Sequence, residues 1–240
     1  MPRSRSQGSG FTESLLSAVG FVHVSPLGAA SLLIALSWLV PAAFSASADV
    51  SSVRLLPLVL HIVQQDGVPV ADEAFIEERL ARANEIYAPY RVGFVVQERV
   101  PLPAAHAHLS SRADRDALAS YLKRKVINCF VVASLRDVDE PERMRRGVHW
   151  HAATRGNAHF VIISTLGGRD VLSHELGHFL GNPEHSPTPG NLMSYEHGPM
   201  LPFLDAPQLK RLERSLRGYF KRGELVPAAA PRSSRGARSH

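Results

Sequence analysis

The stretch HELGHFLGNP, residues 174–183, constrains the structure of this chain more than any other segment. In an α-helix, side chains four residues apart project from one face, so His174 and His178 stand about one turn apart. Two imidazole nitrogens at this spacing can reach one zinc ion at about 2.0–2.1 Å. Gly181 suits the left-handed conformation that ends a helix, and Pro183 cannot continue one. The stretch therefore predicts a short helix that presents two metal ligands.

Glu175 lies about 100° around that helix from His174 and can reach a water molecule on the same ion. A carboxylate in this place can serve as general base, because the metal makes the water more acidic. The pattern HExxH also arises by chance, so the two histidines alone do not establish a site. A solvated helix charge is the alternative for Glu175, and two neighbouring ligands argue against it.

The motif resembles the signature of the metzincins, zinc peptidases in which HExxHxxGxxH is followed by a methionine turn. Residues 174–181 match this signature through its glycine, and NLMSY at 191–195 resembles the methionine turn. The resemblance implies that Met193 packs beneath the metal. It also implies that Tyr195 approaches the metal or the tetrahedral intermediate, as in the astacin-like and serralysin-like branches. A half-buried core tyrosine is the alternative reading of Tyr195.

The sequence departs from the metzincin signature at the third ligand. The family spacing places this ligand at position 184, which is a glutamate here, and His185 follows one residue later. Either the loop contains one extra residue and His185 binds the metal, or Glu184 supplies an oxygen, which zinc accepts. A third alternative is that neither residue reaches the ion. We favour His185, because imidazole is the commoner zinc ligand, and predict the ligand set His174, His178 and His185.

Two further histidines, His149 and His151, flank Trp150 in a segment that suits an edge strand at 147–151. Alternate residues of a strand share a face, so the pair either belongs to a second metal site or lies exposed beside a substrate groove. We favour the groove, because metzincins keep their substrate-binding sheet edge in this part of the chain. The arginine-rich segment 143–147 is interpreted as a solvated loop; if it borders the cleft, it favours acidic side chains in a substrate.

Hydrophobic periodicity predicts an α+β (mixed) fold. Expected strands span 53–65, 91–100, 126–135, 147–151 and 159–165, and expected helices span 71–87, 112–122 and 206–219 in addition to the motif helix. The resemblance implies a metzincin-like twisted mixed sheet with an antiparallel edge strand. An N-terminal helix and the active-site helix pack on this sheet, and a C-terminal helix follows.

The first 48 residues predict an export signal. Arg3 and Arg5 precede an apolar run at 27–44, and ASA at 46–48 has the small-x-small form that signal peptidases cut, here before Asp49. The alternative is an uncleaved membrane anchor, since the run approaches the length of a membrane span. We therefore expect a secreted protein, extracellular or periplasmic, that is membrane-anchored only if residues 27–44 remain attached.

The formal net charge of +5 lies mostly at the two ends of the chain. Residues 1–48 carry +1 and residues 226–240 carry +3, which leaves +1 on the expected catalytic domain, 49–225. So small a charge gives no support for nucleic-acid binding by the folded part. The composition of 226–240 predicts a disordered basic tail. Cys129, the single cysteine, excludes an internal disulfide and is expected to be buried.

These features predict a secreted zinc-dependent endopeptidase, expected to act as a monomer on a protein or peptide that lies extended along the edge strand. Glu175 is the expected base, and Tyr195 is expected to steady the oxyanion. The alternative is a catalytically inactive zinc-binding surface or interaction protein of the same fold. The intact Glu175 disfavours it, because a structural zinc site has four protein ligands and needs no base.

Overall fold

The computed structural model describes residues 53–153, 156, 158–196 and 198–228. The expected export signal and residues 229–240 of the expected tail lie outside the described residues. The strands are β1 (Arg54–Gln65), β2 (Val68–Pro69), β3 (Val92–Leu102), β4 (His108–Leu109), β5 (Ile127–Val132), β6 (Ser134–Arg136), β7 (Met144–Arg145), β8 (Gly147–His151) and β9 (His159–Ser164). The α-helices are α1 (Glu73–Tyr87), α2 (Arg112–Ala117), α3 (Val171–Phe179) and α4 (Ala206–Arg222).

The main sheet is mixed. Strands β3, β1, β5 and β9 run parallel in that order, β8 pairs antiparallel with β9, and the short β2 pairs antiparallel with the end of β1. Within the described chain β8 pairs only with β9, so it forms an edge of this sheet. The predicted mixed sheet with an antiparallel edge strand is therefore confirmed. A second, three-stranded sheet contains β4, β6 and β7.

Alternation along the central strands divides the core into two clusters, one on each face of the main sheet. In β5, Cys129 and Val131 join the cluster that contacts α1, α3 and α4, whereas Phe130 and Val132 join the cluster on the opposite face. Cys129 is fully buried, as predicted, and burial raises its pKa to about 12. Helices α1, α3 and α4 thus pack on the same face of the main sheet.

The boundaries of three elements differ from the sequence prediction by three residues or more. Segment 126–135 was expected as one strand, but the chain leaves the main sheet after Val132, and the N–H of Ser134 donates to the carbonyl of Ala107 at 3.0 Å. The expected helix 112–122 is α-helical only to Ala117 and continues as a 3₁₀ turn. The last helix runs on to Arg222, where Gly223 ends it with φ +68°.

The folded body continues a little past α4. Leu225 is buried, and the N–H groups of Val226 and Ala228 donate to the carbonyls of Lys125 and Leu55 at 3.2 and 2.8 Å. No helix of the described residues combines the length and the apolar character needed to cross a membrane.

Candidate active site

Helix α3 carries the HExxH motif and ends where its sequence predicts. Leu172, Leu176 and Phe179 of this helix are buried in the core. Gly181, just after the last helical turn, has φ +95°, and a Cβ there would lie 2.1 Å from Oγ of Ser215 on α4. Only glycine meets both demands, because other residues rarely adopt this φ and none fits the contact. Gly181 therefore lets the chain turn sharply and bring the following loop back toward α3.

The three predicted ligands come together around one point. Nε2 of His178 lies 3.2 Å from Nε2 of His174 and 3.3 Å from Nε2 of His185. Nitrogens that bind one tetrahedral ion at 2.0–2.1 Å are separated by about 3.3–3.4 Å. The three imidazoles therefore fit a single zinc ion by both their chemistry and their spacing.

Main-chain carbonyls hold two of these rings in the orientation that a metal ligand needs. Nδ1 of His174 lies 2.8 Å from the carbonyl oxygen of Leu192, and Nδ1 of His178 lies 2.7 Å from that of Asn182. A carbonyl can only accept, so each Nδ1 carries the proton and each Nε2 presents a lone pair. Burial lowers the pKa of His178 to about 4, which keeps this imidazole neutral.

The alternative third ligand, Glu184, is exposed, and the histidine group that gathers His174, His178 and His185 does not include it. His185 reaches the other two rings from the loop that follows Gly181. Between Asn182 and His185 the chain turns so that the ring of His185 lies beside the other two rings.

Glu175 lies beside the histidine cluster and is only 6 % exposed. Burial raises the pKa of its carboxyl to about 8, while the main-chain N–H of His149 donates to the carboxylate and lowers the pKa somewhat. The carboxylate is therefore held by a backbone group of β8, the edge strand. A Cβ on Gly147 would lie 2.8 Å from Cγ and Oε1 of Glu175, so the absence of a side chain at 147 leaves room for this glutamate.

The segment NLMSY forms a turn below α3. Met193 is fully buried, and its Sδ lies 2.4 Å from the place a Cβ would take on Gly177 of α3. The side chain of Asn191 accepts from the N–H of Met193 at 2.9 Å. Asn191 also exchanges two amide hydrogen bonds with Gln208 of α4, at 2.8 and 3.0 Å. The turn is thus fixed to α4 by a buried pair of amides that the sequence pattern did not reveal.

Tyr195 is 71 % exposed and is not a core tyrosine. Its ring stacks on His185 at a centroid distance of 4.3 Å, and its hydroxyl lies 3.3 Å from Nδ1 of His185. The charge of Arg145 lowers the pKa of both Glu175 and His185. Arg145 is thus the residue of the arginine-rich segment that borders the histidine cluster. Its Nε donates a hydrogen bond to the carboxylate of Asp137 at 2.5 Å.

His149 and His151 do not join this cluster. They form a second group with His159, the first residue of β9. Sequence analysis missed His159, because only the pairing of β8 with β9 brings it beside the other two.

Comparison with known proteins identifies the fold. No protein-family model matches this sequence, and no curated protein matches it either. Among solved structures, mature mirolysin of Tannerella forsythia in complex with a cleaved peptide is similar, with a TM-score of 0.50 at 15 % identity over 73 % of this chain and 100 % of that chain. Mirolysin in complex with compound 9 gives a TM-score of 0.51 at 14 % identity over the same shares. The chain has the fold of mirolysin.

A third solved structure, metalloproteinase-II from Bacteroides fragilis, has a TM-score of 0.47 at 17 % identity. The similar region covers 68 % of this chain and 53 % of that one, so this chain spans about half the length of metalloproteinase-II.

Proposed function

We propose that this chain is a secreted zinc-dependent endopeptidase. The observation that carries the proposal is the convergence of His174, His178 and His185 at zinc-ligand spacing beside the buried carboxyl of Glu175. The fold shared with mirolysin is consistent with it. Zinc bound by these imidazoles supplies a Lewis acid that polarises a peptide carbonyl and acidifies water.

Glu175 is placed to move the protons of the reaction. Burial raises the pKa of its carboxyl toward neutrality, which suits a group that first takes a proton from attacking water and then gives it to the leaving amine. A cation beside it lowers this pKa, so the carboxylate form that accepts the first proton is favoured. The main-chain N–H of His149 stabilises the carboxylate form of Glu175, which is the form that accepts the first proton.

Tyr195 is placed to donate a hydrogen bond. When Nε2 of a neutral imidazole binds a metal, its Nδ1 carries the proton, so Nδ1 of His185 donates to the hydroxyl oxygen of Tyr195. The hydroxyl proton of Tyr195 is then available to a substrate oxygen that gains negative charge. The exposure of Tyr195 leaves it accessible to such a substrate.

The outer edge of β8 is the proposed binding surface for substrate. An extended peptide can add to an exposed sheet edge through main-chain hydrogen bonds. The contact between the N–H of His149 and Glu175 shows that this edge runs alongside the proposed base. The similar structure of mirolysin is a complex with a cleaved peptide, which is consistent with a peptide ligand. One chain supplies every residue named, so we propose a monomer.

The test is hydrolysis of a labelled unfolded protein by the purified full chain and by Glu175→Gln. We expect the variant to retain zinc and to lose activity by at least about a thousandfold, because the proton acceptor is gone. Glu184→Gln is the matched control, since Glu184 lies exposed on the neighbouring loop. It should retain activity.

Equal activity in Glu175→Gln and the unaltered chain would contradict the proposed mechanism. If the unaltered chain binds zinc but cleaves no substrate, the inactive zinc-binding protein of the same fold becomes the better description. Treatment with a chelator should abolish hydrolysis, and restored zinc should recover it.

A further inference from the structure

Three histidines converge on the face of the β8–β9 hairpin that contacts α3. His151 lies directly opposite His159 in the antiparallel register, and His149 lies two residues from His151 on the same strand. All three side chains therefore project from one face, and the two that are directly opposite have Cβ atoms about 4.5–5.5 Å apart. The ring centroids are 4.7, 5.0 and 5.2 Å from one another, and one nitrogen of each ring lies within 4.8 Å of the others.

Aromatic side chains of two helices form the wall behind these rings. Phe179 of α3 stacks on His159 at 4.4 Å and contacts His149 at 5.6 Å, and Tyr219 of α4 lies 5.6 Å from His159. The rings of His149 and His159 are thus partly buried against an apolar wall. His151 is exposed, so the group is open to solvent on one side.

The polar contacts within the group also suit a metal. Nε2 of His149 lies 2.7 Å from Nδ1 of His159, which is a hydrogen bond between two neutral rings. A small rotation of either side chain widens this distance to the roughly 3.3 Å that separates two ligands of one tetrahedral ion. The guanidinium of Arg222 and the carboxylate of Glu224, which lie near this group, form hydrogen bonds with each other at 2.7 Å.

Apolar packing alone does not account for this arrangement. Three imidazoles bring polar ring nitrogens against Phe179 and Tyr219, where apolar side chains would need no polar partners. Imidazole nitrogens suit zinc, copper, nickel and iron, whereas magnesium and calcium prefer oxygen ligands. We propose that His149, His151 and His159 form a second metal site, which takes a divalent transition metal such as zinc and is separate from the site on α3.

A metal in this second site joins β8 to β9 at the final pair of their ladder, where His151 lies opposite His159. It also fixes the end of β8, the strand whose His149 N–H holds Glu175. The second site thereby stabilises the edge strand without contributing to the chemistry.

The experiment is a zinc titration of the metal-stripped full chain by calorimetry, with bound zinc measured after dialysis. We expect the unaltered protein to bind about two zinc ions per chain. His151→Gln should bind about one, because its second site is impaired, and His185→Ala should bind about one, because its site on α3 is impaired. The double variant should bind close to none. His108→Gln, an exposed histidine outside both groups, is the matched control and should bind as the unaltered chain does.

His151 is exposed, so its replacement should leave the fold intact, which circular dichroism checks. His159→Gln is the second variant, and it should lose the same equivalent of zinc. The proposal is overturned if both variants keep the full stoichiometry, or if His185→Ala binds no zinc. If His185→Ala binds as the unaltered chain does while His151→Gln loses one equivalent, the second site stands and the first site's ligand assignment fails.

Discussion

At the scale of single residues, the candidate site depends on which ring nitrogen of each histidine carries the proton. The carbonyls of Leu192 and Asn182 hold the Nδ1 protons of His174 and His178, so both Nε2 lone pairs point at one place. The ring of His185 comes from a loop and is backed by Tyr195 instead of by a main-chain carbonyl. His185 is therefore the least constrained of the three and the one on which the site can best be tested.

We predict that His185→Ala weakens zinc binding by more than about a hundredfold, because a three-ligand site loses one ligand. Glu184→Ala should change the affinity by less than about threefold, because Glu184 is exposed and outside the cluster. Competition with a chromophoric chelator measures both affinities. The reverse ranking would assign the third position to the glutamate.

At the scale of elements, the close approach of β8 to α3 places the base. Gly147 lets the strand lie against the helix, because any side chain there would meet Glu175 and Val171, each at 2.8 Å. The same approach brings the N–H of His149 onto the carboxylate of Glu175. The strand that we propose for substrate binding and the base are therefore positioned by one contact.

We predict that Gly147→Ala lowers the free energy of unfolding by about 1–3 kcal/mol, the usual cost of overfilling a packed region. It should also lower kcat/KM at least about tenfold, because Glu175 must move. Chemical denaturation and hydrolysis assays measure the two effects. Gly168→Ala is the matched control, since a Cβ there meets nothing within 4 Å. Unchanged stability and activity in Gly147→Ala would show that the contact does not position the base.

At the scale of the whole molecule, the sequence predicted the structure that depends on short-range patterns. It did not predict the features that depend on how strands pair. The helix of the motif, its end at Gly181 and the edge strand at 147–151 follow from periodicity and turn chemistry within a few residues. The group around His159 depends on the register of β8 with β9, which no local pattern encodes. The break after Val132 is also non-local, because it depends on pairing of the following residues with β4.

Metal binding also belongs to this scale, because the proposed zinc site joins α3 to the loop that follows it, and we expect the ion to bind only the folded chain. We predict that zinc at about a thousand times its Kd adds roughly 4 kcal/mol to the free energy of unfolding. This corresponds to a rise of roughly 8–16 °C in Tm for a domain of this size. Calorimetry on Glu175→Gln, with and without chelator, measures the shift while preventing self-cleavage. A Tm that is unchanged by chelation would contradict zinc binding by the folded state.

The amide pair between Asn191 and Gln208 sets a limit on how far the chain can be shortened from its C-terminal end. Gln208 belongs to α4, and Leu225 and Ala228 fasten the segment that follows α4 onto the strands and turns of the body. A truncation that removes Gln208 therefore removes the support of the turn that holds Met193, although every proposed ligand remains on the polypeptide. Proteolytic trimming up to residue 229 spares that support, and we expect trimming that reaches Gln208 to disturb the histidine cluster without removing any of its rings.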